Sequence, residues 1–162
     1  AEEIKEDRED VVFELAGGFE EEHMDGVDRE WVEEKYNDDI IDFLGYVDDM
    51  IGKLSEVDIV VLPSYYREGV PRVLLEAMAS GKPIVTTDWP GCRETVVGGR
   101  NGILVEPEDS EDLTSAILDL IEDKEKRTEM GKEGRKIVDE TFNRENVIER
   151  YLQTYRSLDI EV

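Results

Sequence analysis

Two glutamates separated by seven residues, Glu68 and Glu76, lie in the chemically most informative stretch of the chain, PSYYREGVPRVLLEAMASGKP. This stretch follows an apolar run of strand character, DIVVLP (58–63), and helical spacing begins at Pro71. In an open α/β sheet, ligands bind beyond the carboxyl ends of the strands, which is where the loop 64–70 falls. A helix with Pro71 at its first position would direct the free backbone N–H groups of Arg72, Val73 and, at the margin, Leu74 at that loop, an arrangement that attracts phosphate. Gly69 allows a ligand to approach the backbone closely. Arg72, Glu76 and Ser80 are four apart and make one polar stripe, whereas Val73, Leu74, Leu75, Ala77, Met78 and Ala79 are apolar or small. The helix is therefore expected to be largely buried. A carboxylate in it needs a partner, and ribose hydroxyls could supply two hydrogen bonds. An Arg72–Glu76 ion pair at i, i+4, with Glu68 a solvated loop acid, explains the same residues without a ligand.

The elements that must position this stretch alternate short apolar runs with helix-patterned segments, the signal of βα units around a parallel sheet. The candidate strands are VVFELA (11–16), IIDFL (40–44), DIVVLP (58–63), PIVTT (83–87) and GILVE (102–106). Runs this apolar suit strands covered on both faces. Helices are expected at about 28–37, 49–56, 71–80 and 92–97, and the last third, about 109–158, reads as successive helices. Gly81 stops the helix after Pro71, Asn101-Gly102 marks a turn, and Asp109 can cap a helix whose apolar positions include Leu113, Ala116, Ile117 and Leu120.

Composition narrows the function further. With 162 residues and 39% hydrophobic content, the chain is expected to form a single domain around one core. Its net charge of −24 argues against nucleic acid and anionic membrane surfaces as partners, and the dispersed acids read as solvated faces or as an adaptation to high salt. No apolar run reaches the roughly 20 residues of a membrane span, and the charged start AEEIKEDRED is unlike a signal peptide, so a cytoplasmic location is expected. The lone Cys92 and the single His23 offer no metal set.

Glu68 and Glu76, followed by AMASGKP (77–83), resemble the paired-glutamate motif of the family-4 retaining glycosyltransferases with the GT-B fold. The similarity extends over ELAGGF, FLGYVDDM, DIVVLPSYYREG, PIVTTDWPGCRETV, GGRNGILVEPED and MGKEGRKIVDETF, nearly the whole chain. It implies the C-terminal, donor-binding half of such an enzyme, with a Rossmann-like, doubly wound parallel sheet. The ligand would be a nucleotide-sugar, transferred with retention to a glycan or lipid acceptor, as in polysaccharide biosynthesis. By this resemblance Glu76 binds the donor ribose, Glu68 is the catalytic-site acid beside the donor sugar, and the amides of Gly69, Val70, Arg72 and Val73 face the sugar and diphosphate. Tyr46 and Val47 would flank the base, although packing of their loop explains them better. Gly17 and Gly18 would line the cleft, or serve only as turn glycines. No metal or other cofactor is expected, because GT-B enzymes generally need no metal for the chemistry and helix capping accounts for Asp48-Asp49. The helix start at Pro90-Gly91-Cys92-Arg93-Glu94 is a second candidate anion contact.

Against the family pattern the sequence begins late, with residues 1–10 matching the end of a helix. The first strand, the N-terminal acceptor-binding domain and an Arg and a Lys that meet the donor diphosphate are expected to lie outside it, leaving the chain inactive by itself. In the order 3-2-1-4-5-6, VVFELA and DIVVLP would flank the first strand's slot. Direct pairing of those two strands, a segment from another copy, or a missing part of the same molecule could fill it, and the exposed edges could support a homo-oligomer. A nucleotide-binding module without transfer activity and a sugar-nucleotide epimerase of the same fold are the competing readings.

Overall fold

The computed structural model describes residues 1–18, 40–67 and 69–158. The chain divides into two compact units, Ala1–Lys53 and Leu54–Val162. Glu68, His23 and the helix expected at 28–37 lie outside the described residues.

In the first unit, α1 (Glu2–Asp7) precedes β1 (Glu14–Ala16), which pairs in parallel with β2 (Asp42–Gly45). Both strands are shorter than the apolar runs that announce them. Contrary to the expectation of two covered faces, all of β1 is exposed. Its Glu14 carboxylate accepts a 2.6 Å hydrogen bond from Lys53 Nζ on α2 (Met50–Glu56). Asp49 starts α2 by accepting from the Gly52 N–H at 2.9 Å, so this acid has the capping role the sequence suggested.

In the second unit, β3 (Val60–Leu62), β4 (Ile84–Thr87) and β5 (Gly102–Val105) form a parallel sheet in the order β3-β4-β5. The pairings β1-β2 and β3-β4-β5 are those a doubly wound order assigns to these runs. Only β4, flanked on both edges, is buried at every residue. On one face Val61, Val85, Ile103 and Val105 pack against Leu113, Ala116 and Leu120 of α4 (Ser110–Glu122) and Met130 of α5 (Lys124–Thr141). Burial of side chains such as Leu120 stabilises the unit by about 1.5–3 kcal/mol each. Asp109 caps α4 through the Asp112 N–H at 3.0 Å, as its position predicted. The last helix, α6 (Arg144–Ser157), has no buried residue.

The helix that matters most for the site is α3 (Arg72–Ala79), which packs on β3, β4 and α5. Its carboxyl end is closed by a Schellman turn. Gly81, at φ 73°, donates to the Met78 carbonyl at 2.9 Å, and Lys82 donates to Ala77 at 3.0 Å. The turn lies against Gly131 of α5, where an added Cβ would come within 1.9 Å of the Gly81 carbonyl oxygen. Only the absence of a side chain at Gly131 permits this crossing.

Candidate functional site

Immediately beyond the carboxyl end of β3, the chain runs through Ser64–Arg67 and Gly69–Pro71 into α3. Two buried threonines on β4 secure its start. Thr86 Oγ1 donates to the Leu62 carbonyl at 2.8 Å, and Thr87 Oγ1 donates to the Ser64 carbonyl. A strand residue thus holds the loop from the neighbouring ladder position, a role sequence reasoning did not assign. Its only signal was a pair of hydroxyl residues ending a strand otherwise made of Ile and Val. Tyr65 and Tyr66 stack with ring centroids 4.9 Å apart and remain exposed, an aromatic pair that was likewise passed over.

Pro71 is the N-cap, not the first helical residue, because its ψ of 124° is extended. Its side chain offers no cap, and its carbonyl accepts from the Leu74 and Leu75 N–H groups at 3.2 and 3.4 Å. Arg72 and Val73 keep unpartnered N–H groups among the described residues, as a helix start provides. Leu74 does not belong with them. Its N–H is engaged and its side chain is fully buried in the core. Apart from chain neighbours, no described residue comes within 4 Å of where a Cβ would project at Gly69, and Val70 beside it is exposed.

The polar stripe is present, but the helix is amphipathic and not largely buried. Leu74, Ala77 and Met78 are buried, whereas Arg72 and Ala79 are exposed. Arg72 Nε donates to Glu76 Oε1 at 2.7 Å, with side-chain exposures of 90% and 27%. The ion pair weighed as the ligand-free explanation of Glu76 is therefore formed. Because water reaches both partners, desolvation alone does not demand a ribose there. Glu68, the candidate catalytic acid, lies outside the described residues.

The second candidate anion contact is already filled by the protein. Gly91, at φ 95°, donates its N–H to Glu94 Oε2 at 2.7 Å, and Arg93 pairs with Asp88 at 2.8 Å. The short 3-10 turn Arg93–Thr95 replaces the expected helix over 92–97. Cys92 is buried and forms no disulfide.

In the first unit, Gly17-Gly18 follows β1 and Tyr46-Val47 follows β2, so parallel pairing brings these candidates to the same end of one sheet. Gly17 donates to the Gly45 carbonyl at 2.9 Å, and apart from chain neighbours no described residue comes within 4 Å of a Cβ position at Gly17 or Gly18. Tyr46 is 79% exposed, so packing of its loop does not account for the ring. Among the described residues no group of three or more His, Cys, Asp or Glu side chains could hold a metal ion. No helix among them is long and apolar enough to cross a membrane.

The described residues form a mixed α/β fold with parallel sheets, and the solved structures it resembles are GT-B glycosyltransferases. Residues 1–137 match the family model described as glycosyl transferases group 1, and the chain belongs to that family. It is 37% identical over 120 residues to the N,N'-diacetylbacillosaminyl-diphospho-undecaprenol alpha-1,3-N-acetylgalactosaminyltransferase of Campylobacter jejuni, covering 74% of this chain and 31% of the relative. Among solved structures it resembles sucrose-phosphate synthase from Thermosynechococcus elongatus, with TM-score 0.77, 33% identity, and 90% and 38% of the two chains covered. It also resembles Anabaena HepE in complex with UDP, with TM-score 0.79, 27% identity, and 91% and 41% covered. The chain spans about a third of the length of the curated relatives it matches.

Proposed function

We propose that this chain carries the donor-binding part of a retaining glycosyltransferase that takes its sugar from a nucleotide diphosphate and passes it to a glycan or lipid acceptor. The observation supporting this most directly is the start of α3, where the Arg72 and Val73 N–H groups face an open loop at the carboxyl end of β3. Departure of the donor's diphosphate creates negative charge, and a helix start favours such charge by about 0.3–1 kcal/mol when exposed and up to about 2 kcal/mol when partly buried. Glu76 would exchange Arg72 for ribose hydroxyls, and the released guanidinium would turn to the diphosphate. Glu68 would lie beside the donor sugar, Gly69 and Val70 would bring backbone close to it, and Gly17, Gly18, Tyr46 and Val47 would line the nucleotide side.

An N-terminal acceptor-binding domain of the parent protein would complete the cleft, and a further Arg and Lys outside this sequence would join Arg72 at the diphosphate, since Arg93 is engaged by Asp88 here. Transfer by this chain alone is not expected, and a cytoplasmic location belongs to the same reading. UDP in the Anabaena neighbour makes uridine nucleotides the first donors to test. Calorimetric titration of UDP, GDP, ADP and their sugars into the full-length protein should find one diphosphate that binds in the micromolar range and whose sugar is turned over. Absence of binding by every nucleotide would defeat the proposal. Binding without turnover in the presence of acceptors would favour a nucleotide-binding module.

A further inference from the structure

At the opposite, amino-terminal ends of β3 and β4, the second unit has an open cleft of about 280 Å³. Lys82, Lys124, Arg127, Lys132 and Arg135 line it, with Asp58 the one acid among the described lining residues. Five of the chain's 19 cationic residues therefore converge on one cleft of a protein that carries 43 acids. Elsewhere cations reach carboxylates, as Lys53, Arg100 and Lys126 do. Lys124, Lys132 and Arg135 form no ion pair with any described residue, despite the excess of acid around them.

Two of the five are held in place by the backbone. Lys82 Nζ donates to the Ser55 carbonyl at 3.0 Å, and Arg127 donates to the Leu120 and Ile121 carbonyls at 2.6 and 2.8 Å. The close crossing of Gly131 over Gly81 brings α5 against the turn that carries Lys82. Arg127 lies on one side of that crossing along α5, and Lys132 and Arg135 on the other. Cations fixed or left unpaired around a shared opening repel one another unless an anion joins them, and charge-assisted hydrogen bonds to phosphate oxygens are the strong means of doing so.

We propose that this cleft binds a small multivalent phosphate anion, at the end of the sheet away from the candidate donor loop. The ion would be free in solution or the phosphate head of a lipid. The net charge of −24 opposes approach to an anionic bilayer and favours the soluble source.

Inorganic pyrophosphate titrated calorimetrically into the chain at fixed ionic strength tests the site. The triple variant Lys124→Gln/Lys132→Gln/Arg135→Gln is compared with Arg144→Gln/Arg150→Gln/Arg156→Gln, which changes the net charge equally at exposed positions of α6. Circular dichroism melting checks that both variants fold. The cleft variant should weaken pyrophosphate binding by at least about tenfold, as loss of charged hydrogen bonds requires, while the α6 variant changes it less than about twofold. Equal affinity in wild type and cleft variant, or an equal loss in both variants, overturns the assignment. Co-sedimentation with phosphatidylglycerol vesicles separates the sources. Capture that the cleft variant abolishes supports the site with a lipid phosphate. No capture, with pyrophosphate binding retained by wild type, supports it with a soluble ion.

Discussion

Replacing Gly131 by alanine should destabilise the protein, although alanine is the better helix former. In a helix interior the exchange gains about 0.8–1 kcal/mol from propensity alone. The new Cβ would lie 1.9 Å from the Gly81 carbonyl oxygen and 2.8 Å from its carbon, both backbone atoms that no rotamer change can move. Restoring a normal separation requires α5 to retreat by roughly 1.5 Å. That shift would disturb the Schellman turn at Gly81 and the packing of Met78, and overpacking of this kind costs about 1–3 kcal/mol or more. The net effect is a loss of up to about 2 kcal/mol, corresponding to a fall in Tm of up to roughly 8 °C for a chain of this size. Gly134→Ala, one turn later on the same helix, should act in the opposite direction. Its Cβ would meet Met78 atoms at 3.5 Å, an ordinary contact, so most of the propensity gain of up to about 1 kcal/mol survives. Urea unfolding followed by far-UV circular dichroism would compare the two variants with wild type. A Gly131→Ala protein as stable as wild type would show that the close crossing of α5 over the Gly81 turn is not what holds α3 in place.

Three further outcomes are expected. Glu76→Gln should cost only about 0.3–0.5 kcal/mol of stability, the scale of an exposed i, i+4 pair, yet weaken donor binding to the full-length protein by about 1.5–3 kcal/mol; unchanged affinity in calorimetry would leave Glu76 as the partner of Arg72 alone. Thr87→Val should remove the hydrogen bond from Thr87 to the Ser64 carbonyl, lowering stability by about 0.5–1.5 kcal/mol and loosening the start of the donor loop, so amide exchange of Ser64–Arg67 should accelerate; uniform exchange across the chain would reject the positioning role. With a net charge of −24, the chain should melt at higher temperature in molar sodium chloride than in dilute buffer, and a Tm that does not change with salt would contradict self-repulsion as a significant cost.

What could be read in advance was what neighbouring residues decide. Gly81 supplied the left-handed turn that ends α3, and Asp109 and Asp49 announced helix starts through their side-chain oxygens. The five apolar runs appeared as five parallel strands in the anticipated pairing, trimmed where ladder hydrogen bonds stop and not where apolarity stops. The exposure of β1 was not legible, because an apolar alphabet does not record how many neighbours a strand has. Leu74 was misread for a related reason. At a helix start, N–H availability and side-chain direction change from one residue to the next, and a 3-10-type bond to the Pro71 carbonyl engages the Leu74 N–H although the residue lies in the first turn.

The contacts that position the candidate site are of another kind, because each joins residues distant in sequence. Thr87 holds Ser64 across a strand pair, and Gly131 admits Gly81 across a helix crossing. Neither pairing names its partner locally, since a threonine ending a strand and a glycine in a helix are explained singly by propensity or tolerance. Together they determine where α3 sits, and hence where the Arg72 and Val73 N–H groups lie relative to the loop. The two ends of α3 also carry the two proposed anion sites, with the donor loop at its start and Lys82 just beyond its closing turn. A rigid helix held at both ends fixes the spacing of these sites along one element, so a change at the Gly131 crossing should affect both while a change in either lining should affect one.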